Sequence, residues 1–176
     1  MKYNVGCGDK KWPDFVNIDI EKSVNPDVIL DIKSHRLPCD DGAADEIWMF
    51  HTLEHIEKVC WTNVFMEFNR ALKVDGNLFL AYPEFTKCVD NWIKNYKGIR
   101  DYWENTIYGR QLYRGDYHIA ITDSDELKQI LETHGFANIK TAPEVEPNEY
   151  YSVLSCVKNH TVMSRSDVLA QELFAI

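Results

Sequence analysis

A chain of 176 residues, 45% hydrophobic and 27% charged, has the size and composition of one globular domain with one sizeable core, and is too short for two full ones. A formal charge of −9 and a pI near 5.1 repel phosphate backbones, and the lysines and arginines are scattered, so nucleic acid is set aside as a partner. No stretch approaches the ~20 apolar residues of a membrane span, and the opening Met1-Lys2-Tyr3-Asn4 lacks the apolar segment of a signal peptide.

Lys2 to Val5 reads as a short strand running into Gly6-Cys7-Gly8. Phe15 to Ile20 alternates apolar and polar residues and predicts a second strand. Asp27 to Asp31, opened by Pro26, is a third, and Leu37-Pro38 with Asp40-Asp41-Gly42 forms a turn-rich loop. Ala44 to His51 is a fourth strand whose nearly unbroken apolar run suits cover on both faces. Residues 57 to 72 are helical by period, with Val64, Phe65, Phe68 and Leu72 on one face and Asp75-Gly76 closing the unit. Asn77 to Tyr82 is a fifth strand, closed by Pro83.

Residues 85 to 117 hold Phe85, Trp92, Tyr96, Tyr102, Trp103, Tyr108, Tyr113 and Tyr117 among basic residues and glycines. That density reads as an inserted lid or subdomain, mostly a small satellite core with one or two pocket residues. Asp123 to His134 is an amphipathic helix with an Asp123/Glu126 capping box, a Leu127, Ile130, Leu131 stripe and Gly135 beyond its end. Asn138 to Ala142 and Tyr150 to Lys158 are two last strands, separated by Pro143 and Pro147. The tail 159–176 is expected to end in a helix, with Val168, Leu169, Leu173 and Phe174 as an apolar side that packs on its own domain or on another subunit. There is no internal repeat.

Cys7, Cys39, Cys60, Cys88 and Cys156 are odd in number, far apart and never in CxxC pairs. They point to free thiols in a reducing compartment, with the cytoplasm as the default, and assign no metal. Strands alternating with helices predict an α/β fold: a Rossmann-like, doubly wound, mostly parallel sheet of seven strands, the last one antiparallel, over residues 1–158. Ligands of such sheets bind at the carboxyl ends of the strands, where the strand order reverses.

Gly6 and Gly8 at the end of the first strand let a ligand approach bare main chain where the strand is expected to turn into a helix. The dinucleotide pattern G-x-G-x-x-G fails, because Lys11 holds the third glycine position. Asp19, ending the second strand, is placed to accept hydrogen bonds from a ribose diol, and Asp31 sets a second acceptor on the same rim. Each aspartate alone could simply cap a strand. Together with the glycine pair they describe a nucleoside site without a strong phosphate cradle.

The stretches NVGCG, FVNIDI, PDVILDI and LPCDDGAADEIWMFHTLEHI, followed by NLFLAYPE and YGRQLYRGDYHIAITDSDELKQILETHGF, resemble the class I S-adenosylmethionine-dependent methyltransferases. The resemblance is to the small branch with a His-x-Leu-Glu-His run after the fourth strand, and it covers residues 3 to about 157. It implies S-adenosyl-L-methionine as cofactor, with Gly6, Cys7 and Gly8 facing its methionine part, Asp19 on the ribose hydroxyls, Ile20 against the adenine, Asp31 and Ile32 at the adenine edge, and His51 at the junction of cofactor and acceptor. The chain departs from the family in carrying Asn4 where an acidic residue often precedes the glycines, and in starting at strand one without leading helices.

For a methyl acceptor bearing a hydroxyl, His51 is the first candidate base, since an imidazole accepts a proton near neutral pH. A histidine ending a buried strand can instead simply hydrogen-bond a carbonyl. Asp116 and His118, two apart on an extended segment, form a candidate second base with its orienting carboxylate, or a loop anchor. Glu54 suits a helix start, His55 packing, and Tyr82 or Glu84 acceptor binding. Cys7 reads as a small buried filler rather than a nucleophile. The expected function is methyl transfer to a small molecule such as a sugar or another hydroxyl-bearing metabolite. A non-catalytic cofactor-binding partner module and a nicotinamide-dependent oxidoreductase are the alternatives.

Overall fold

A computed structural model describes residues 1–95, 100–113, 115–141 and 151–160. Seven strands form one sheet: β1 (Lys2–Val5), β2 (Val16–Asp19), β3 (Val28–Ile29), β4 (Ala44–Phe50), β5 (Leu72–Pro83), β6 (Phe136–Thr141) and β7 (Tyr151–Lys158). Their spatial order is β3-β2-β1-β4-β5-β7-β6. The pairs among β1 to β5 are parallel, and β7 runs antiparallel to both β5 and β6. This is the seven-stranded, mostly parallel sheet that the alternation predicts. The order reverses between β1 and β4, which places the crevice of a doubly wound sheet there.

Helix α1 (Lys58–Ala71) buries Trp61, Val64, Phe65, Phe68 and Ala71 against Ile47, Met49, Leu78 and Leu80 of the sheet. Each such large side chain contributes about 1.5–3 kcal/mol by leaving water. Helices α2 (Phe85–Asn95) and α3 (Arg100–Tyr108) pack on one another after β5. Helix α4 (Ser124–Thr133) starts as predicted, with the Asp123 side chain accepting from the Glu126 amide at 2.8 Å, and buries Leu127 and Leu131. Gly135 follows at φ +79. The Glu126 carboxylate accepts from Thr122 Oγ1 and Lys58 Nζ.

Three local expectations are corrected. No helix follows the glycine pair: Gly6 to Phe15 is loop, in keeping with Gly8, Asp9, Pro13 and Asp14, all poor helix formers. Its Trp12 lies edge-on against Trp48, Phe50 and Phe15, with centroids 5.0–5.7 Å apart, and Trp48 stacks on Phe79 at 4.0 Å. An aromatic cluster thus lies where a helix was expected, and Trp48 and Phe50 remain half-buried, unlike Ile47 and Met49 on the opposite face of β4. The third strand shrinks from Asp27–Asp31 to Val28–Ile29, because Asp31 already opens a turn through its side chain and carbonyl. Asp75-Gly76 does not end α1. The helix stops at Ala71, Leu72 already pairs with Ala44, and Asp75 at φ +63 lies in an excursion before pairing resumes at Asn77.

Among the described residues, the aromatics of the insert are less buried than a satellite core requires. Phe85, Trp92, Tyr108, Tyr113 and Tyr117 are all substantially exposed. Tyr96, the side chains of Tyr102 and Trp103, Pro143, Pro147 and the tail beyond His160 lie outside the described residues. Among the described residues no helix is long and apolar enough to cross a membrane.

Candidate active site

The parallel register carries Val5, Asp19 and Phe50 to the same end of the sheet, so the first loop, the Asp19 tip and the His51 turn share one rim. The first loop is held at its root. The amides of Gly6 and Cys7 both donate to the carbonyl of Ile18, at 2.8 and 3.0 Å. Gly6 at φ +72 sits against Thr52, whose Oγ1 bonds the carbonyls of Gly6 and Phe50. Gly8 at φ +49 donates its amide to Asp19 Oδ2 at 2.8 Å, and Asp19 Oδ1 accepts from Glu21 N at 2.8 Å. The glycine pair and the carboxylate that the sequence links across eleven residues are therefore in direct contact, and the carboxylate retains further acceptor capacity.

Under that loop lies a polar network. Asn4 Nδ2 donates to Lys10 O and to Asn17 Oδ1, and Asn17 bonds the main chain of Trp12 and Phe15 and the side chain of Asp27. Both asparagines are buried. An aspartate at position 4 would set a carboxylate against two acceptors, which gives Asn4 a physical reason here. The two asparagines at matching register positions of neighbouring strands were the available sequence signal.

Ile20 beside Asp19 is 56% exposed, an open apolar side chain next to that carboxylate. Asp31 holds the turn at Lys33 N. Ile32 is buried in the main core, so its side chain is turned away from the rim. Cys7 is buried, and burial together with the charge of Asp19 pushes its thiol up to about 11. Burial likewise raises Cys88 and Cys156 to about 12. Brief alkylation of the native chain with iodoacetamide near neutral pH should therefore label the partly exposed Cys39 and Cys60 first, read by mass spectrometry. Early labelling of Cys7 would make it a reactive thiol and overturn its role as a filler.

His51 adopts φ +50, unusual for a residue with a side chain, and is held there by its amide donating to Ala81 O at 2.8 Å. Its ring is partly exposed, with Nδ1 3.5 Å from Glu54 Oε1. Glu54 is not a surface helix-start carboxylate. It is 4% exposed, in a short 3-10 turn (Leu53–His55). Burial acts to raise its pKa, but the hydrogen bond from His51 and the charges of His51, His55 and His118 outweigh it and hold the carboxyl below the usual range. Its carbonyl accepts from Ile119 N and Ala120 N, which fixes the segment carrying His118 against this turn.

Asp116 does not orient the His118 ring by a hydrogen bond, although its charge still acts on that ring. Asp116 is buried and accepts from Leu112 N at 3.2 Å and Arg110 Nη2 at 3.4 Å, closing the loop after α3. His118 Nδ1 instead meets Thr106 O at 2.8 Å, and its ring lies edge-on to His55, centroids 4.9 Å apart. Burial shifts His118 below the ordinary imidazole value. Tyr82 and Glu84 are also spent internally. Glu84 is buried and accepts from Ser124 N, Ser124 Oγ and Thr86 Oγ1, while Tyr82 Oη bonds Ser124 Oγ. An open concavity of about 800 Å³ lies at the other end of the sheet around Met1, Arg36, Cys39 and Arg70, where Arg70 is already engaged by Glu67 and Asp41.

A mostly parallel sheet with this strand order, carrying a glycine turn clasped by a carboxylate and a histidine turn on one rim, defines a doubly wound α/β protein. The model of the methyltransferase domain family matches residues 5–141, and the chain belongs to that family. It is an S-adenosylmethionine-dependent methyltransferase. Solved structures with the same fold include an S-adenosylmethionine-dependent methyltransferase from Archaeoglobus fulgidus (12% identity, TM-score 0.62, covering 89% of this chain and 85% of that one). The PH0226 protein of Pyrococcus horikoshii (15%, 0.63, 89% and 81%) and an S-adenosylmethionine-dependent methyltransferase from Thermotoga maritima (14%, 0.60, 89% and 81%) are similar in the same way. A search of curated protein sequences returns no significant match.

Proposed function

We propose that the chain methylates a hydroxyl oxygen of a small-molecule acceptor, with His51 as general base. The observation that carries this reading is the His51 turn itself: a left-handed histidine at the end of β4, partly exposed on the rim and backed by the buried Glu54. Glu54 accepts from His51 Nδ1, which leaves Nε2 as the lone-pair nitrogen able to take a proton.

The first loop fits an adenosyl amino acid. A Cβ built on Gly8 meets nothing within 4 Å, so main chain faces open space there, and Asp19 and the exposed Ile20 lie alongside. In this reading Gly6, Cys7 and Gly8 hold the methionine part, Asp19 the ribose hydroxyls, Ile20 the adenine face, and Asp31 with the main chain of Ile32 its edge. When bound, S-adenosylmethionine supplies a methyl group already activated on a positive sulfonium. The protein's work is to align the acceptor, exclude water and receive the acceptor's proton on His51. The exposed aromatics of the insert, Phe85, Tyr113 and Tyr117, offer stacking surface for a flat or sugar-like acceptor.

The test is product formation with a panel of hydroxyl, amine and carboxylate acceptors, followed as release of S-adenosylhomocysteine. With the best hydroxyl acceptor, His51→Gln is expected to lower kcat about 10²- to 10³-fold, the ordinary worth of a positioned base, with little change in cofactor affinity. Turnover confined to amines, or an unaltered kcat in His51→Gln, overturns the assignment.

A further inference from the structure

Glu54, His55 and His118 bring one potential ligand atom each to within 4.8 Å of one another. The cluster joins the turn after β4 to the segment after α3, two parts of the chain separated by α1, β5 and the insert. Two observations distinguish it from a chance meeting of polar groups. Glu54 Oε2 is buried and has no hydrogen-bond partner among the described residues, although its sister oxygen faces His51. A buried carboxylate oxygen left without a donor bears its desolvation penalty uncompensated, so the site calls for something that fills it. The second observation concerns the rings. His55 Nδ1 lies 2.9 Å from Tyr117 O, and His118 Nδ1 lies 2.8 Å from Thr106 O. A carbonyl can only accept, so each ring carries its proton on Nδ1 and its lone pair on Nε2. Backbone carbonyls that fix the tautomer and aim the other nitrogen are the usual outer support of metal-bound histidines.

We propose that Glu54, His55 and His118 form a binding site for one divalent transition-metal ion, with zinc the ion best matched by two imidazoles and a carboxylate. Three protein ligands leave a coordination position open, as in catalytic rather than structural zinc sites. Ligand bonds of about 2.0–2.2 Å set tetrahedral ligand atoms roughly 3.3–3.5 Å apart, so modest side-chain rotations close the present span. The ligand set stands on its own geometry. Placing the acceptor's oxygen in the open position rests on the proposed function, and follows from the shared carboxylate: Glu54 Oε1 serves His51 while Oε2 serves the ion. This differs from the sequence reading, which assigns no metal.

The experiment uses the full chain, stripped with a chelator, desalted and titrated with cobalt(II) chloride and separately with zinc chloride. Stoichiometry and affinity are read by calorimetry and by the visible bands of cobalt. The expected result is one equivalent bound, without the near-ultraviolet band of a sulfur ligand, and an affinity lowered at least about 10- to 100-fold in His55→Gln and in His118→Gln. Glu54→Gln is a third variant, and the two histidine variants carry the test if it fails to fold. Absence of binding, binding unaltered in both histidine variants, or a sulfur-to-metal band from the cysteines overturns the site. S-adenosylhomocysteine binding by the same wild-type sample separates the two readings. Metal absent while that ligand binds removes the metal site alone, and metal bound while that ligand does not bind supports the site and removes the functional reading.

Discussion

Asp19→Asn is expected to weaken S-adenosylhomocysteine binding roughly 30- to 100-fold while the chain stays folded. The carboxylate holds Gly8 N and Glu21 N at 2.8 Å each, and in the proposed complex it also accepts the ribose hydroxyls. Hydrogen bonds to a charged acceptor are worth about 1.5–3 kcal/mol, and the amide replaces one of its two oxygens by a donor. That donor must face either an amide N–H or a ribose hydroxyl, so at least one bond is lost. The structural part of the loss is about 1–2 kcal/mol, a fall in Tm of several degrees at this chain length. Calorimetric titration with S-adenosylhomocysteine reads the first quantity and thermal unfolding the second. Unaltered affinity in a folded Asp19→Asn protein would show that this tip does not grip the nucleoside.

Gly6→Ala should be far more damaging than Gly8→Ala, although the two glycines share one motif and both have positive φ. A Cβ on Gly6 would lie 2.0 Å from Thr52 Oγ1 and 2.7 Å from Thr52 Cβ, which no rotation of that side chain relieves. A Cβ on Gly8 meets nothing within 4 Å. Both variants bear the ~1–2 kcal/mol of a left-handed L-residue, and Gly6→Ala adds about 1–3 kcal/mol of overlap. Thermal unfolding should place Gly6→Ala roughly 10 °C below the parent and Gly8→Ala within a few degrees of it. In a double-mutant cycle Thr52→Gly should recover much of the Gly6→Ala loss, since the overlap is with that one side chain. Equal destabilisation by the two alanines would refute the crowding at Thr52.

Those two positions also mark how far the residues alone lead. The link between the glycine pair and Asp19 was legible because parallel strands return their carboxyl ends to one edge, so spacing along the chain becomes proximity. Helices α1 and α4 were legible for a similar reason: Val64, Phe65 and Phe68, or Leu127 and Leu131, repeat at the helical period and nothing competes with that reading. The loop after β1 was misread because a glycine turn after a strand usually introduces a helix, whereas here Trp12 lies on β4 through long-range aromatic contact with Trp48 and Phe50. The Asp116–His118 pair was misread because neighbours in sequence compete poorly with main-chain partners: Leu112 N takes the carboxylate and Thr106 O takes the ring. The Glu54, His55, His118 cluster left no trace in spacing, since the insert and β5 lie between its halves. The insert announced itself by aromatic density, but density does not tell which rings turn inward.

Both margins of the sheet are poor templates for another chain. On one side β3 contributes only Val28 and Ile29 before the turn at Asp31. On the other, β6 is interrupted between Ala137 and Lys140, with Asn138 at φ +54. Among the described residues, a strand from a second molecule would find no unbroken row of amides and carbonyls on either flank, which disfavours growth by lateral strand addition. The fold thereby guards against fibrous aggregation chiefly through backbone shape, to which the exposed Lys140 on β6 adds a charge.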